Sequence, residues 1–453
     1  MTGYALLVPE LLVLIAIAWG LFSSHLPGRD RGAAYVGVVL VLVAAVAAAL
    51  ATAGQTLFGG ALVFDETARF ARVGTLVLAA VWLLWTAGRG EGRTREATAL
   101  ALFATMGALL MSCAADLVTI VLALELATMP AYVLVGYRRN RFTGLEGALK
   151  YFLLSLLTSL VMMYGLSFLY GVTGTTRLSE FDLSTAGTLG LLAMLLTFVG
   201  VFAKLSAAPF HYWAPDAYEG AEAWSVAFVS TVPKVAGAVV FVRLVAAIVP
   251  TAPIGATMVL IAAVASMVLG NLAALTQSDI RRMMAYSGVA HTGYLMLGAA
   301  GITAAGYGAA VFYALAYAIP SLGLMLLVAE EGVTVDDFAG FFSRRPAAAW
   351  GTVIMLASLI GIPPLVGFFG KLYVFSSALA AGLAPWVVVA VLTSVVSAAY
   401  YLRIVRSAFF AVPAQERTPL ASSPAASIAI LACVAATVAL GLAAGPLLGW
   451  LGI

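Results

Sequence analysis

The sequence predicts an all-α polytopic membrane protein with about fourteen transmembrane helices, and three observations carry that prediction. Of its 453 residues, 63% are hydrophobic and only 9% charged, whereas a soluble chain carries roughly a quarter charged residues. Apolar runs recur from Leu6 to Trp450 at about the twenty-residue length with which an α-helix crosses a hydrocarbon core. The alternation of lipid-facing and lumen-facing residues that marks a membrane β-barrel is absent.

Taken in order, runs at 4–24, 33–54 and 71–88 make an N-terminal three-helix segment, residues 1–96. The first run lacks a basic lead-in and a small-residue cleavage site, so it reads as a retained span. Runs at 97–113, 115–137, 148–172, 186–208 and 223–248 fill residues 97–250, and runs at 253–275, 280–300, 303–329, 347–380 and 384–411 fill residues 251–411. A last run at 424–450 occupies the C-terminal segment, 412–453. The seventh span is interrupted by Pro209 and Pro215, the twelfth by Gly361-Ile362-Pro363-Pro364. Proline removes a helix hydrogen bond and clashes with the preceding turn, and unwound backbone survives at membrane depth only inside protein or beside a wet cavity. Breaks five spans apart predict two five-helix repeats, spans four to eight and nine to thirteen, the second inverted relative to the first.

Charge gives the orientation. Sixteen of the 23 basic residues fall in or beside loops after odd-numbered spans, among them Arg29, Arg93, Arg139, Arg141, Lys150, Arg281, Arg282, Arg344, Arg345 and Arg417. Loops after even-numbered spans hold only Arg69, Arg72 and Arg177. Basic loops stay in the cytoplasm, so both termini are expected to face outward across a bacterial inner membrane.

Several chemistries are excluded. Two cysteines, Cys113 and Cys433, cannot hold an iron–sulfur cluster, which takes about four thiolates. Of three histidines, His25 lies in a loop, which disfavours a bis-histidine haem. Neither a Walker loop nor a dinucleotide fingerprint occurs. The net charge of +3 reflects loop arginines, and the expected surroundings are lipid and other membrane chains, not nucleic acid. No cofactor and no metal is expected in this chain.

Four basic residues remain inside the membrane: Lys204, Lys234, Arg243 and Lys371. Arg243 stands near a span end and can snorkel. The lysines are more telling, because three of only four lysines are intramembrane while arginine supplies nearly every loop charge. A desolvated ammonium can give up its proton and a guanidinium effectively cannot. Buried charges are costly and mark functional sites by default, although a lysine that merely bridges helices is the alternative. Glu125, the lone acid well inside a span, is the natural partner of one lysine. Glu10 is read as reaching the membrane interface. His291 can relay protons or serve as a satisfied core histidine.

The motifs carry a resemblance. Leu124-Glu125-Leu126, Glu146-Gly147-Ala148-Leu149-Lys150-Tyr151-Phe152, Lys204-Leu205 with Pro209-Phe210-His211-Tyr212-Trp213-Ala214-Pro215-Asp216, Val232-Pro233-Lys234, Ala290-His291-Thr292-Gly293-Tyr294 and Gly367-Phe368-Phe369-Gly370-Lys371 together resemble the proton-antiporter-like subunits of NADH-quinone oxidoreductase (respiratory complex I), a family shared with Mrp antiporters. The likeness covers nearly the whole chain. It implies proton transfer along Glu125, Lys204, Lys234 and Lys371, with His211, His291 and Lys150 in support. Lysine at the twelfth-span position favours the N-type subunit. Sister antiporter-like subunits would be neighbours, and flavin, iron–sulfur clusters and quinone would sit in partner subunits. An Mrp-type cation/proton antiporter without electron transfer is the alternative. Glu222-Ala223-Trp224-Ser225-Val226 stands where the family usually has Pro-Thr-Pro-Val, so the turn between the seventh and eighth spans is expected to be built differently.

Overall fold

A computed structural model describes residues 3–22, 30–89, 94–138, 142–413 and 423–451. His25, Arg29, Arg93, Arg139, Arg141 and Arg417 lie outside the described residues.

Helices α1 (Val8–Phe22) and α2 (Asp30–Leu50) lead into an antiparallel hairpin, β1 (Gln55–Leu57) and β2 (Leu62–Phe64), with Thr56 opposite Val63. Then come α3 (Glu66–Arg89), α4 (Thr94–Cys113), α5 (Leu117–Val135), α6 (Phe142–Thr173), α7 (Gly187–Leu205), α8 (Trp213–Gly220), α9 (Ala223–Val229) and α10 (Val232–Ile248). The chain continues through α11 (Ile254–Leu275), α12 (Ile280–Ala300), α13 (Ala304–Glu331), α14 (Phe341–Arg344), α15 (Pro346–Ile360), α16 (Val366–Ala380), α17 (Ala384–Phe410), α18 (Pro424–Leu442) and α19 (Ala444–Trp450). Among the described residues, eleven helical stretches are long and apolar enough to cross a membrane, with shorter apolar helices at Ala34–Leu50, Pro346–Ile360 and Val366–Ala380.

Local chemistry sets the helix starts. Asp116 accepts from the backbone of Val118 and Thr119 to begin α5, and Asp279 does the same for Arg281 and Arg282 at α12. Such caps satisfy amide groups that have no partner within the helix. Small residues set the packing, as is usual where lipid offers no hydrophobic drive between helices. A methyl group added to Gly107 would lie 2.3 Å from the Ala127 nitrogen, and one added to Gly293 would lie 2.5 Å from the Ala263 oxygen. The α4–α5 and α11–α12 backbones therefore touch.

The breaks fall where the prolines put them, between α7 and α8 and between α15 and α16. A third appears at Ser230–Thr231, where α9 gives way to α10 just before Pro233 and Lys234. The unusual turn after α8 is closed by its own residues: Glu222 faces Arg138 at 3.6 Å, and Trp224 packs its ring on Trp82 and Tyr137. Trp82 also donates to the Trp224 carbonyl at 2.7 Å.

One expectation fails. Glu10 does not reach an interface but lies 7% exposed, 2.6 Å from Arg72, itself 1% exposed. Arg72 also donates to the Leu6 carbonyl at 2.9 Å. Sequence counting had treated Arg72 as a loop charge, yet α3 begins at Glu66 and carries it inside the bundle, where only a buried acid can balance it. Removing one partner of a buried pair costs about 3–5 kcal/mol. Glu10→Ala is therefore expected to lower the thermal midpoint of the purified protein by several degrees, and Glu10→Leu/Arg72→Leu to recover part of the loss, as read by scanning calorimetry.

Candidate functional site: a line of lysines between broken helices

Both broken helices end in the same local geometry. At the end of α7, Ser206 takes a left-handed φ of 59°, and Ala207 donates back to the Phe202 carbonyl at 2.7 Å. At the end of α15, Gly361 takes φ 96°, and Ile362 donates back to the Ala357 carbonyl at 2.9 Å. This is the six-to-one closure of a Schellman end. Each break also contains a cis X–Pro bond, Ala208–Pro209 and Pro363–Pro364.

Carbonyls freed at a break need donors, because lipid supplies none. In the first break, Trp213 Nε1 donates to the Ala203 carbonyl at 2.8 Å and Thr292 to the Leu205 carbonyl at 2.7 Å. In the second, the donor is Lys371. Its ammonium reaches the Leu359 carbonyl (3.0 Å), the Ile360 carbonyl (2.8 Å) and Ser394 Oγ (2.7 Å). A cation at a helix C-terminus also faces the negative end of the helix dipole. Lys371 is buried and lies 5.3 Å over the ring of Tyr294.

Lys204 occupies the last turn of α7, again at a negative helix end. Its Nζ donates to Thr128 Oγ1 at 2.8 Å. Thr128 stands one turn beyond Glu125 on α5. Glu125 accepts from Ser159 Oγ of α6 at 2.7 Å, and Thr128 gives its own hydrogen to the Leu124 carbonyl, so α5 carries the acid one turn from the threonine that holds the lysine, with no direct ion pair between them. The stem of Lys204 runs over Gly237, one turn past Lys234 on α10.

Lys234 is the central group. It is 9% exposed, has no hydrogen-bond partner on Nζ, and lies 6.0 Å over the ring of Tyr218. It lines a cavity of about 20 Å³ together with His291, Tyr313 and Tyr317, above the roughly 10–15 Å³ that a water molecule needs. His291 Nδ1 pairs with the Tyr313 hydroxyl at 2.6 Å and Nε2 with the Tyr401 hydroxyl at 3.4 Å. Tyr401 in turn bonds Ser287.

Other expected residues separate from this line. His211 is buried within the first break, its ring 4.7 Å from Tyr212, outside the Lys234 cavity. Lys150 is exposed and bonds Asp216 at 2.8 Å and Glu146 at 2.9 Å, while Arg282 also bonds Asp216 at 2.9 Å. It clamps α6, α8 and α12 together at the arginine-rich side. Arg243 pairs with Asp65 at 2.9 Å, in keeping with a residue near a span end. The hydroxyls of Thr128, Ser159, Thr292, Tyr313, Ser394 and Tyr401 were not singled out from the sequence. A signal was available: Tyr313, Tyr317, Tyr400 and Tyr401 sit far from helix ends, whereas membrane tyrosines favour the interfaces.

Comparison with known proteins follows this geometry. Residues 114–397 match the family described as NADH:quinone oxidoreductase/Mrp antiporter, transmembrane. NADH-quinone oxidoreductase subunit N 1 of Acidiphilium cryptum is 37% identical over 431 residues, covering 90% of this chain and 89% of its own length. A chain of respiratory complex I from Thermus thermophilus with bound aureothin superposes with a TM-score of 0.85 at 31% identity, over 96% of this chain and 97% of that one. A chain of the Mrp complex from Dietzia sp. DQ12-45-1b shares the fold, with a TM-score of 0.88 at 22% identity over 100% and 97%.

Gly361 tests the second break. A methyl group there would lie 3.1 Å from Lys371 Cδ, and a left-handed non-glycine residue costs roughly 1–2 kcal/mol. Gly361→Ala is expected to lower thermal stability by about that amount, whereas Ser206→Gly, relieving the same strain at the first break, is expected to lose little, both by calorimetric midpoint.

Proposed function

Because the chain belongs to the NADH:quinone oxidoreductase/Mrp antiporter transmembrane family, we propose that it is the N-type, proton-translocating membrane subunit of a complex I-like respiratory assembly. Protons enter at the Glu125–Lys204 patch, pass to Lys234, cross His291 and leave from Lys371. The observation that carries this reading is the juxtaposition of Lys234 and His291 on one cavity, with a lysine nitrogen that has no protein partner. A buried charge without a bond is expensive unless it exchanges with something mobile, and a proton is the smallest such thing. Charge moved at Glu125 acts on the Lys204 ammonium through electrostatics that the low-dielectric membrane interior strengthens. Quinone reduction in partner subunits supplies the energy, and sister antiporter-like subunits flank the chain.

The chain itself holds no redox centre, a reading supported by its two cysteines and three histidines. It crosses the bacterial plasma membrane fourteen times when α7 with α8, α9 with α10, and α15 with α16 each count as one broken span. Two inverted repeats, spans four to eight and nine to thirteen, are supported by the matching Schellman breaks and by glycine contacts in the paired α4–α5 and α11–α12. The arginine-rich side faces the cytoplasm and the hairpin faces outward.

Two experiments decide these points. In the assembled complex, Lys234→Ala or Lys371→Ala is expected to abolish most proton pumping measured in sealed vesicles; unchanged pumping in both overturns the assignment. Thr56 is exposed on the hairpin, and both native cysteines are buried. Thr56→Cys is therefore expected to react with an impermeant maleimide added outside intact cells, and labelling only after lysis reverses the topology.

A further inference from the structure

We propose that Tyr313 is a proton-carrying residue of this pathway, its hydroxyl handing protons from the Lys234 cavity to His291; the proposal rests on the transport reading above and names a member of the same site. Three observations converge on it. Tyr313 lines the cavity that Lys234 lines. Its hydroxyl is 2.6 Å from His291 Nδ1, the shorter of the two bonds made by that ring. Its own ring is buried and packs against Gly370, where an added methyl group would lie 2.6 Å from Tyr313 Cδ2. The ring that carries the hydroxyl is thus held beside the residue that precedes Lys371. Tyr317, four residues later on α13, lines the same cavity, but its hydroxyl bonds neither nitrogen of His291. Of these two cavity tyrosines, Tyr313 alone bonds the histidine.

Hydrogen-bond inventory makes this position useful. A neutral imidazole has one donor and one acceptor nitrogen, and both are donors once it is charged. With Tyr313 donating to Nδ1, Nε2 carries its hydrogen towards Tyr401, and Tyr401 bonds onward to Ser287. A proton leaving Lys234 breaks an N–H bond and is taken by one water molecule in the cavity. That water gives a proton to the Tyr313 oxygen as the Tyr313 O–H proton moves to Nδ1. The net result is a neutral lysine, an imidazolium at His291, and water and tyrosine unchanged. Release from Nε2 leaves the histidine as the Nδ1–H tautomer, so each transfer is followed by rotation of the imidazole ring, which turns the bare nitrogen back towards the proton donor. The onward direction is set by α17, which carries Tyr401 next to His291 and, seven residues earlier on the same face, Ser394 bonded to Lys371. Phenylalanine would keep the ring contacts and remove only the transferable proton.

The test uses the assembled complex in sealed vesicles with its own electron donor, comparing Tyr313→Phe, Tyr307→Phe and Lys234→Ala. Tyr313→Phe is expected to reduce the proton-to-electron ratio or pumping rate by at least roughly tenfold, a conservative share of the hundredfold or more that a positioned proton-transfer group supplies. Tyr307→Phe, which removes a tyrosine hydroxyl from the same helix outside the cavity, is expected to pump close to the parent level. Parent-level pumping in Tyr313→Phe alongside a dead Lys234→Ala overturns this proposal and leaves the transport reading standing; parent-level pumping in Lys234→Ala removes the transport reading itself. If Tyr313→Phe fails to assemble, 3-fluorotyrosine at position 313 keeps the ring and alters the hydroxyl's hold on its proton. A changed pumping rate then supports the relay, and an unchanged one overturns it.

Discussion

A helix that stops inside hydrocarbon leaves carbonyl oxygens that must find donors, and the rest of this structure is arranged around that requirement. The breaks exist because Pro209 and Pro363-Pro364 cannot continue a helix. They are tolerated because Trp213, Thr292 and Lys371 supply the donors from neighbouring turns and helices. The same freed carbonyls form the negative ends at which Lys204 and Lys371 sit. Proline placement, helix termination and the location of buried cations are therefore one fact seen at three scales.

Buried charge in this chain divides into two kinds, and geometry separates them. Arg72 with Glu10, and Glu330 with Arg89 and Arg345, form close ion pairs between helices distant in sequence. An arginine cannot shed its proton, so these pairs are fixed ties: α1 to α3, and α13 to α3 and to the start of α15. The lysines differ. Lys204 bonds a hydroxyl, Lys371 bonds two carbonyls and a hydroxyl, and Lys234 bonds nothing in the protein. None of the three is in contact with a carboxylate among the described residues. A carboxylate contact would hold the ammonium in its charged form, whereas hydroxyls serve either protonation state.

Much of the architecture could be read from the chain because membrane helices announce themselves through continuous apolar runs, and breaks through proline. The three lysines and His291 stood out because charge is rare there. Glu10 was misread because its position near a span end looked interfacial, and only the tertiary fold places Arg72 opposite it. The hairpin at Gln55–Phe64 went unread although Gly59-Gly60 marks its turn, because its strands are only three residues long, and the split at Ser230–Thr231 has no breaker of its own. The hydroxyl partners were hidden for a different reason. Serine and threonine are common in membrane helices and usually bond their own backbone, as Thr105 and Ser112 do here, so their identity says little until a neighbouring helix fixes where they point.

The bonding of Lys371 is compatible with both roles, structural anchor and the proton carrier proposed above. An ammonium has three donors, and here all three are used, on the Leu359 carbonyl, the Ile360 carbonyl and Ser394 Oγ. A neutral amine keeps two N–H groups and gains a lone pair. The two carbonyls can accept only, so they retain the two hydrogens. Ser394 is the one partner able to reverse, turning its hydroxyl to donate to the lone pair. The helix end stays satisfied in both protonation states, and the break need not open when the proton departs. Arginine could not release the proton, and a carboxylate could not cap the carbonyls. Lysine beside a hydroxyl meets both demands at once.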